Sequence, residues 1–322
     1  MSRIPVTIVT GFLGSGKTTL LNRMLHDPSA GGTMVIVNEL GEIGLDHQLI
    51  EHSDDSVILL TNGCLCCAVK GDLVRTLRDL CFRPHGNYDR VLIETTGLAD
   101  PCSVIQIILA DPVVGSRYTL ASVVTTVDAV NGLATLAAHP ESLRQAAVAD
   151  RIVLTKLDLR PQGEAELRAR LVALNPSAVL ALPEECALAG LVAATPSFVF
   201  ETPAVAHPHD IRSFSVVRDR PISRATLDLL LRAIADNLGP NLLRVKGLLN
   251  IAGEPDKPAV LHGVQSVLHD LAWLERWPSE DRRSRLVFIT LGAGRQVIDE
   301  VVEAIEQMAA RTERRRAADI TR

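Results

Sequence analysis

A short segment, Gly11–Thr19, limits the folds open to this chain more than any other feature of the sequence. It reads G-F-L-G-S-G-K-T-T and matches the pattern G-x-x-x-x-G-K-[ST]. An apolar run, Val6–Thr10, precedes it, and a helical pattern begins at Lys17. This strand–loop–helix context is the one in which the pattern forms a phosphate-binding loop, or P-loop. The chain is therefore expected to hold phosphate groups between a buried strand and the positive N-terminal end of a helix.

The P-loop side chains indicate a nucleoside triphosphate with Mg²⁺. Lys17 is expected to reach the β- and γ-phosphates, and Thr18 to offer its hydroxyl to Mg²⁺. The backbone cradle is assigned to the rest of the loop, namely Gly11, Gly14, Ser15, Gly16 and Thr19. A second Mg²⁺ contact is expected from Glu94, which ends the apolar run Arg90–Glu94. That run would place the carboxylate beside the P-loop, where it would act on Mg²⁺ through a water.

A second motif indicates which base is bound. The apolar run Arg151–Thr155 continues as K-L-D, so that the chain reads T-K-L-D at this point. This is similar to the N-K-x-D guanine motif, in which a carboxylate accepts hydrogen bonds from guanine N1 and N2, groups that adenine does not offer in that pattern. Asp158 is expected to take this role, with the stem of Lys156 packed over the purine. Thr155 replaces the usual Asn and alters one polar contact, but the motif still predicts GTP over ATP.

Buried strands alternate with helical patterns along the first half of the chain. The predicted strands are Val6–Thr10, Met34–Val37, Val57–Leu60, Arg90–Glu94, Ser122–Val127, Arg151–Thr155 and Ala178–Leu182. The predicted helices are Lys17–His26, Ala68–Cys81, Ser142–Ala149 and Glu164–Leu174. Continuous apolar strands that alternate with helices are typical of a parallel sheet covered on both faces. The predicted fold class is therefore α/β, with a doubly wound, mostly parallel P-loop NTPase sheet whose ligands bind at the carboxyl ends of the strands.

The composition of the sequence changes around Thr195–Asp210, where a stretch with three prolines is typical of a linker. We expect a P-loop GTPase domain over residues 1–198, a linker over 199–212 and a smaller α+β domain over 213–310. The predicted elements of this domain are Ser213–Val217, Ser223–Asn237, Leu243–Ile251, Leu286–Leu291 and Arg295–Ala310. Residues 311–322 carry five Arg against two acidic residues. We interpret them as a solvated helix end followed by a disordered basic tail.

Three cysteines lie within four residues, at Cys64, Cys66 and Cys67, directly after the strand Val57–Leu60. Thiolates suit Zn²⁺, Cu(I) or Co²⁺ rather than Mg²⁺. Three thiolates leave one of the four positions of a tetrahedral metal ion without a ligand. Such an open position suits a protein that transfers its metal to another protein. Two other interpretations remain open: a redox dithiol in the C-x-x-C spacing of Cys64 and Cys67, and simple apolar packing. The isolated Cys81, Cys102 and Cys186 are expected to be packing residues.

A further ligand is expected from the segment after the second strand, Glu39–Asp46, where a GTPase would have its switch. Glu42 or Glu39 would lend a carboxylate to the transition metal or position the attacking water, and the sequence leaves these roles open.

The amino-acid composition limits the classes of partner that we expect this protein to bind. Lys and Arg total 33 against 38 Asp and Glu, and aromatic residues make up 3%. The excess of acidic residues argues against a basic face for nucleic acid, and the low aromatic content argues against a base-stacking surface. No apolar run reaches the length of a membrane span, and the P-loop argues against a cleaved signal peptide at the N-terminus. We expect a cytoplasmic protein with no membrane or nucleic-acid partner, and the sequence leaves monomer or homodimer open.

Taken in order, the P-loop, N-E-L-G-E-I-G-L-D, G-C-L-C-C, E-T-T-G-L-A-D-P and T-K-L-D resemble the CobW family of metallochaperone GTPases, which is grouped with HypB and UreG. Segments beginning at Arg244, Val260, Trp277 and Arg285 resemble the CobW C-terminal domain. The resemblance implies a slow, Mg²⁺-dependent GTPase that binds a transition metal, zinc or cobalt, and delivers it to a client metalloprotein. Some members carry a long His-rich stretch, and this chain lacks one, which argues against metal storage.

Two other functions remain open at this point. One is a nucleotide-regulated metal-binding or sensing module without metal transfer. The other is a P-loop phosphotransferase that acts on a small molecule, which would need a second substrate pocket.

Overall fold

The computed structural model of the chain contains two compact units, Met1–Ser197 and Phe198–Arg322. It describes residues 3–38, 57–60, 67–82, 88–159, 163–188, 205–268, 271–292 and 295–320.

The first unit contains a parallel sheet. Its described strands are β1 Ile4–Gly11, β2 Thr33–Asn38, β3 Val57–Leu60, β4 Arg90–Glu94, β5 Tyr118–Asp128, β6 Arg151–Thr155 and β7 Val179–Ala181. They pair in the order β3-β2-β4-β1-β5-β6-β7, and all these pairs are parallel. The carboxyl ends of the strands therefore lie at one edge, with β1 and its P-loop near the centre.

Helices cover both faces of this sheet. The described helices are α1 Lys17–Leu25, α2 Cys67–Phe82, α3 Pro101–Ala110, α4 Pro112–Arg117, α5 Gly132–Ala138, α6 Pro140–Val148 and α7 Glu164–Leu174. Val124 of β5 belongs to the apolar cluster formed with α1. The next residue, Thr125, donates a hydrogen bond to the carbonyl of Gln145 in α6. Because successive strand residues face opposite sides, α1 and α6 cover opposite faces.

The second unit is a smaller antiparallel sheet with two long helices. Its described strands are β8 Val205–Ala206, β9 Ile211–Arg218, β10 Leu242–Leu249, β11 Ala259–Val264, β12 Val267–Leu268, β13 Ala272–Trp273 and β14 Ser284–Leu291. The order is β12-β11-β10-β14-β9-β8, with β13 paired to β11. The helices α8 Arg224–Leu238 and α9 Arg295–Ile320 pack on the sheet. Phe214 and Phe288 stack in this core with ring centroids 5.6 Å apart.

The predicted α/β class, with its parallel sheet and a smaller α+β unit, is confirmed. The seven strands predicted for the first unit are present, with β5 extended back to Tyr118. Helices α3, α4 and α5 were not predicted. They are short, and α3 is apolar on most sides, so no face of period 3.6 marks it. Asp100 and Asp111 cap α3 and α4 by accepting hydrogen bonds from backbone N–H groups, each directly before a proline.

Two predicted boundaries in the second half differ from the structure. The linker assigned to 199–212 already contains β8, which pairs with β9 around a turn at Pro208–Asp210. Pro208, one of the prolines that suggest a linker, therefore begins a turn between two paired strands. The tail assigned to 311–322 continues as helix to Ile320. Its Arg, Ala and Glu residues favour helix, and no Gly or Pro interrupts them.

Within the described ranges, none of the helices combines the length and the apolar character needed to cross a membrane.

Candidate functional site

The register of the parallel strands aligns the predicted nucleotide residues at one edge. In β1, Val9 lies beside Glu94 of β4, and Gly11 lies beside Thr126 of β5. In the next pair, the last residue of β5 lies beside Thr155, the last residue of β6. The P-loop, the predicted Mg²⁺ acid and the base motif therefore begin from neighbouring strand ends.

The P-loop begins with a close backbone approach at Gly11. Its φ of 144° lies in a region that side chains disfavour, and a Cβ there would lie 2.6 Å from the carbonyl oxygen of Thr126. Only glycine fits at this point. Ser15 then anchors the loop to β5, because its Oγ lies 2.6 Å from the hydroxyl of Thr126. Gly16 takes the N-cap position of α1, so the first N–H groups of the helix face the loop.

Lys17 and Thr18 are the first two residues of α1, directly after the loop. The Lys17 ammonium group folds over the loop and donates to the carbonyl oxygen of Phe12 at 3.2 Å. Thr18 donates its hydroxyl to Oε1 of Glu94 at 2.9 Å. Gly14 and Thr19 are exposed along the same loop and the first turn of α1. The loop thus presents one cation and a hydroxyl–carboxylate pair at the helix start.

The Thr18–Glu94 pair fits Mg²⁺ in its chemistry. Both groups offer oxygen, which this hard cation prefers. Glu94 is 5% exposed, so its carboxylate is fixed in a nearly dry position at the strand end. The structure therefore brings the two predicted Mg²⁺ residues, Thr18 and Glu94, together.

The base motif is tied directly to the P-loop. The Thr155 hydroxyl donates to the carbonyl oxygen of Ser15 at 2.7 Å and lies 3.3 Å from that of Val127. Thr155 thus provides a polar link at the position where the motif usually has Asn. Lys156 follows with φ 57°, which turns the chain away from the sheet, and Asp158 is exposed in the turn beyond it.

Asp128, at the end of β5, is a site residue that the sequence analysis missed. Its Oδ2 accepts from the Lys156 ammonium group at 2.9 Å, and its Oδ1 accepts from the backbone of Val130. Burial alone would raise the pKa of Asp128, but the hydrogen bonds from Lys156 and Asn131 outweigh it and hold the pKa below its usual value. The carboxylate therefore remains ionised and fixes the lysine stem. An acid directly after a buried strand was the available sequence signal.

Much of the predicted transition-metal site lies outside the described residues. This applies to Cys64, Cys66, Glu39 and Glu42, whereas Cys67 is described only as the first residue of α2. The described part of the chain holds no group of three or more His, Cys, Asp or Glu side chains arranged for a metal ion. The thiolate site therefore stays a prediction. The strands that lead into it, β2 and β3, end at the same edge as the P-loop.

The isolated cysteines behave as packing residues. Cys102 and Cys186 are buried in the first unit, and Cys81 is half-buried. Burial raises the pKa of the Cys186 thiol to about 11, so it stays protonated at neutral pH. A protonated, buried thiol is a poor metal ligand.

Two family models match the chain. The CobW/HypB/UreG nucleotide-binding domain matches residues 5–181, and the cobalamin synthesis protein CobW C-terminal domain matches residues 211–306. This chain belongs to the CobW family. Its P-loop, parallel sheet and antiparallel second unit are those of the family's two domains.

Relatives of this CobW-family chain match it over nearly their whole length. The zinc chaperone YjiA of Escherichia coli is 36% identical over 94% of this chain and 98% of its own. The zinc chaperone CobW of Pseudomonas aeruginosa is 33% identical over 90% of this chain and 88% of its own. The crystal structure of Zn(II)-bound YjiA GTPase from E. coli covers 95% of this chain and 99% of that chain, with a TM-score of 0.67 and 28% identity.

A cavity of about 410 Å³ lies beside the P-loop of this CobW-family chain. Its walls include Phe12, Asp128, His139 and Gln145. The Phe12 and His139 rings stack with centroids 4.5 Å apart. The sequence analysis did not find this contact, because it joins residues far apart in the chain with no motif between them.

Replacing Thr155 tests the link between the base motif and the P-loop. Thr155→Val keeps the shape but leaves the Ser15 carbonyl without its buried donor, which costs about 1 kcal/mol. We expect guanine nucleotide affinity to fall by about fivefold in titration calorimetry. Thr155→Ser retains the hydroxyl and serves as the control. Equal affinities for the Val and Ser variants would show that the hydroxyl does not hold the loop.

The lowered pKa of Asp128 predicts a pH-dependent contribution to stability. The ionised carboxylate stabilises the fold above its unfolded pKa of about 4, and this contribution is lost as the pH falls through the lower folded value. Asp128→Asn should therefore reduce the free energy of unfolding at pH 7, and the gap to wild type should narrow below about pH 4 in urea titrations. Asp256→Asn removes an exposed ion pair with Arg282 and should change little at either pH. A gap for Asp128→Asn that is constant with pH would contradict this prediction.

Proposed function

We propose that this protein hydrolyses GTP in a Mg²⁺-dependent reaction and uses the nucleotide cycle to bind zinc and deliver it to a client metalloprotein in the cytoplasm. The observation that carries the proposal is the shared edge of the parallel sheet. The P-loop follows β1, Glu94 ends β4, and the chain leaves β3 toward Cys64–Cys67 at the same edge. The proposed nucleotide and metal residues thus follow strands that end at one edge of the sheet, with β2 and β4 between β3 and β1.

The nucleotide half of the proposal is supported by the geometry of the loop. Lys17 and the N-terminus of α1 supply positive charge for the phosphates. Thr18 and Glu94 would hold Mg²⁺, which would supply positive charge to offset the negative charge that develops during hydrolysis. Lys17 is the described residue that we assign to catalysis, and Glu39 or Glu42 would position the attacking water. GTP and GDP are the ligands that Thr155, Lys156 and Asp158 are proposed to select.

The metal half is supported by the thiols and by the relatives. Cys64, Cys66 and Cys67 offer soft ligands, and Glu42 is the proposed additional ligand. The E. coli and P. aeruginosa relatives are named zinc chaperones, which favours zinc over cobalt as the cargo. A site with three thiolates and one exchangeable position would bind zinc and still allow transfer.

The coupling free energy between nucleotide binding and zinc binding can be compared with the range that is typical of allostery. Neighbouring strands lie about 4.8 Å apart, so the β3 and β1 ends are about 14 Å apart. Allosteric coupling over such distances is typically about 1–3 kcal/mol, or roughly 5–150-fold in affinity. A thousandfold release of metal on hydrolysis would need about 4 kcal/mol. We therefore propose that nucleotide exchange provides part of the weakening and that contact with the client provides the rest.

Metal affinity measured in two nucleotide states tests the proposal. With a non-hydrolysable GTP analogue, we expect Zn²⁺ to bind about 10- to 100-fold more tightly than with GDP, because this lies within the usual coupling of about 1–3 kcal/mol. The measurement is competition with a chromogenic zinc chelator. Cys64/Cys66/Cys67→Ala should abolish tight binding in both states, whereas Cys81→Ala, which removes a half-buried thiol elsewhere, should preserve it. Equal Zn²⁺ affinities in the two states would favour a metal-binding module without nucleotide control.

Base selection is tested at Asp158. The carboxylate is proposed to accept hydrogen bonds from guanine N1 and N2, and charge-assisted bonds contribute about 1.5–3 kcal/mol each. Asp158→Asn should weaken GTP binding by about 100-fold and should favour xanthosine triphosphate, whose 2-oxo group accepts from the new amide. Nucleotide competition against a fluorescent GTP analogue gives both values. An ATP preference in wild type would instead favour the small-molecule phosphotransferase.

A further inference from the structure

Residues 97–100 border the end of the P-loop where the terminal phosphate is expected. Lys17, which reaches β- and γ-phosphates in such loops, lies with its ammonium group 3.2 Å from the carbonyl oxygen of Phe12. The neighbouring residue Leu13 is in backbone contact with Gly97, where a Cβ would lie 2.7 Å from the Leu13 nitrogen. The backbone of Gly97 therefore forms one wall of the terminal-phosphate end, three residues after Glu94.

Side chains of helix α6 hold residues 97–100 in place. The Nε2 of Gln145 donates to the carbonyl oxygens of Gly97 at 3.0 Å and Ala99 at 3.1 Å. The preceding residue, Arg144, pairs with Asp100 at 3.2 Å. The Arg144 pair is partly exposed and contributes little, whereas Gln145 is fully buried. The two amide hydrogen bonds are therefore the main restraint on residues 97–99 from this side.

The orientation of the Gln145 amide follows from its neighbours. Two carbonyl oxygens face one end of the amide, so that end must be the NH₂ group, since the reverse orientation would place three oxygens together. The opposite atom, Oε1, is buried and has no hydrogen-bond partner among the described residues. Burial of an amide is costly unless its groups are paired. The hydrogen bonds to Gly97 and Ala99 are therefore the interactions that offset the cost of burying this amide.

The same element also contacts the P-loop itself. His139, which directly precedes α6, stacks on Phe12. His139, the N-cap residue of α6, thus contacts the P-loop, and Gln145, within α6, contacts the segment after β4.

We propose that Gln145 is a positioning residue that holds the Gly97 backbone in place for the terminal phosphate of GTP and so lets the protein distinguish GTP from GDP. This inference rests on the proposed function, because it assumes that the P-loop binds guanine nucleotides. The role is specific to the triphosphate, since the segment 97–99 borders the terminal end of the loop and the diphosphate is held by the P-loop and α1.

Gln145→Met tests the proposal with little change in shape. The variant removes both donors, and residues 97–99 lose their main restraint from α6. We expect the affinity for a non-hydrolysable GTP analogue to fall by about tenfold, the equivalent of one or two hydrogen bonds. The affinity for GDP should stay within about twofold of wild type. Both values come from titration of the full chain with fluorescent nucleotides at saturating Mg²⁺.

Thr125→Val is the matched control. It deletes a buried hydrogen bond of 2.8 Å to the backbone carbonyl of Gln145 and leaves the contacts to Gly97 and Ala99 intact. Its ratio of analogue to GDP affinity should equal that of wild type, and thermal unfolding compares the stability of the two variants. An equal loss of both nucleotides in Gln145→Met, no loss of either, or the same selective loss in Thr125→Val would each overturn the positioning role. Wild type that binds neither guanine nucleotide would instead overturn the proposed function, and this inference with it.

Gln145→Glu provides a second variant with a different readout. A carboxyl group in this place donates only when protonated, and the facing carbonyl oxygens raise its pKa. Its affinity for the GTP analogue should therefore fall as the pH rises, while its affinity for GDP follows that of wild type. A pH profile identical to that of wild type for both nucleotides would contradict the proposal, even if Gln145→Met failed to fold.

Discussion

The register of the parallel sheet is the constraint on which the candidate site depends. Val9 lies beside Glu94, and Gly11 lies beside Thr126, so the P-loop leaves β1 between an acid on one side and a hydroxyl on the other. A slip of β4 by one residue would shift its side chains by about 3.3 Å and turn them to the opposite face. Thr18 would then lose its carboxylate partner. The apolar residues that lock the register in the core thus also determine the geometry of the phosphate site.

Buried hydroxyl groups convert this alignment into a preformed loop. Thr95 donates to Thr10 at 2.7 Å, directly before the P-loop, and the hydroxyls of Thr126 and Thr155 hold Ser15 from two further strands. These bonds lie in the dry interior, where an unpaired partner would be costly. The P-loop is therefore held by hydrogen bonds from three neighbouring strands. Thr155 thus gives the predicted base motif a polar link to the P-loop at the position where Asn is usual.

The sequence predicts those parts of the structure that depend on local pattern. The strands of the parallel sheet and helix α1 follow from apolar runs and from the P-loop, and Glu94 was placed correctly at a strand end. Contacts between distant residues leave no such trace. Gln145 and Gly97 are brought together by the packing of α6 against β1, β5 and α3. The polar residues in α6 are consistent with an ordinary amphipathic helix, so sequence spacing could not reveal which of them faces the nucleotide edge.

Strand β4 lies between the strands that precede the proposed nucleotide site and the proposed metal site. It lies between β1, which carries the P-loop, and β2, whose end precedes the segment with Glu39 and Glu42. Its last residue, Glu94, pairs with Thr18, and the segment that follows is fixed by Gln145. A change at the terminal phosphate would therefore reach the chain after β2 across one strand spacing of about 4.8 Å. Coupling of about 1–3 kcal/mol needs only a few hydrogen bonds to differ between two arrangements, and the bonds around residues 94–99 are sufficient in number.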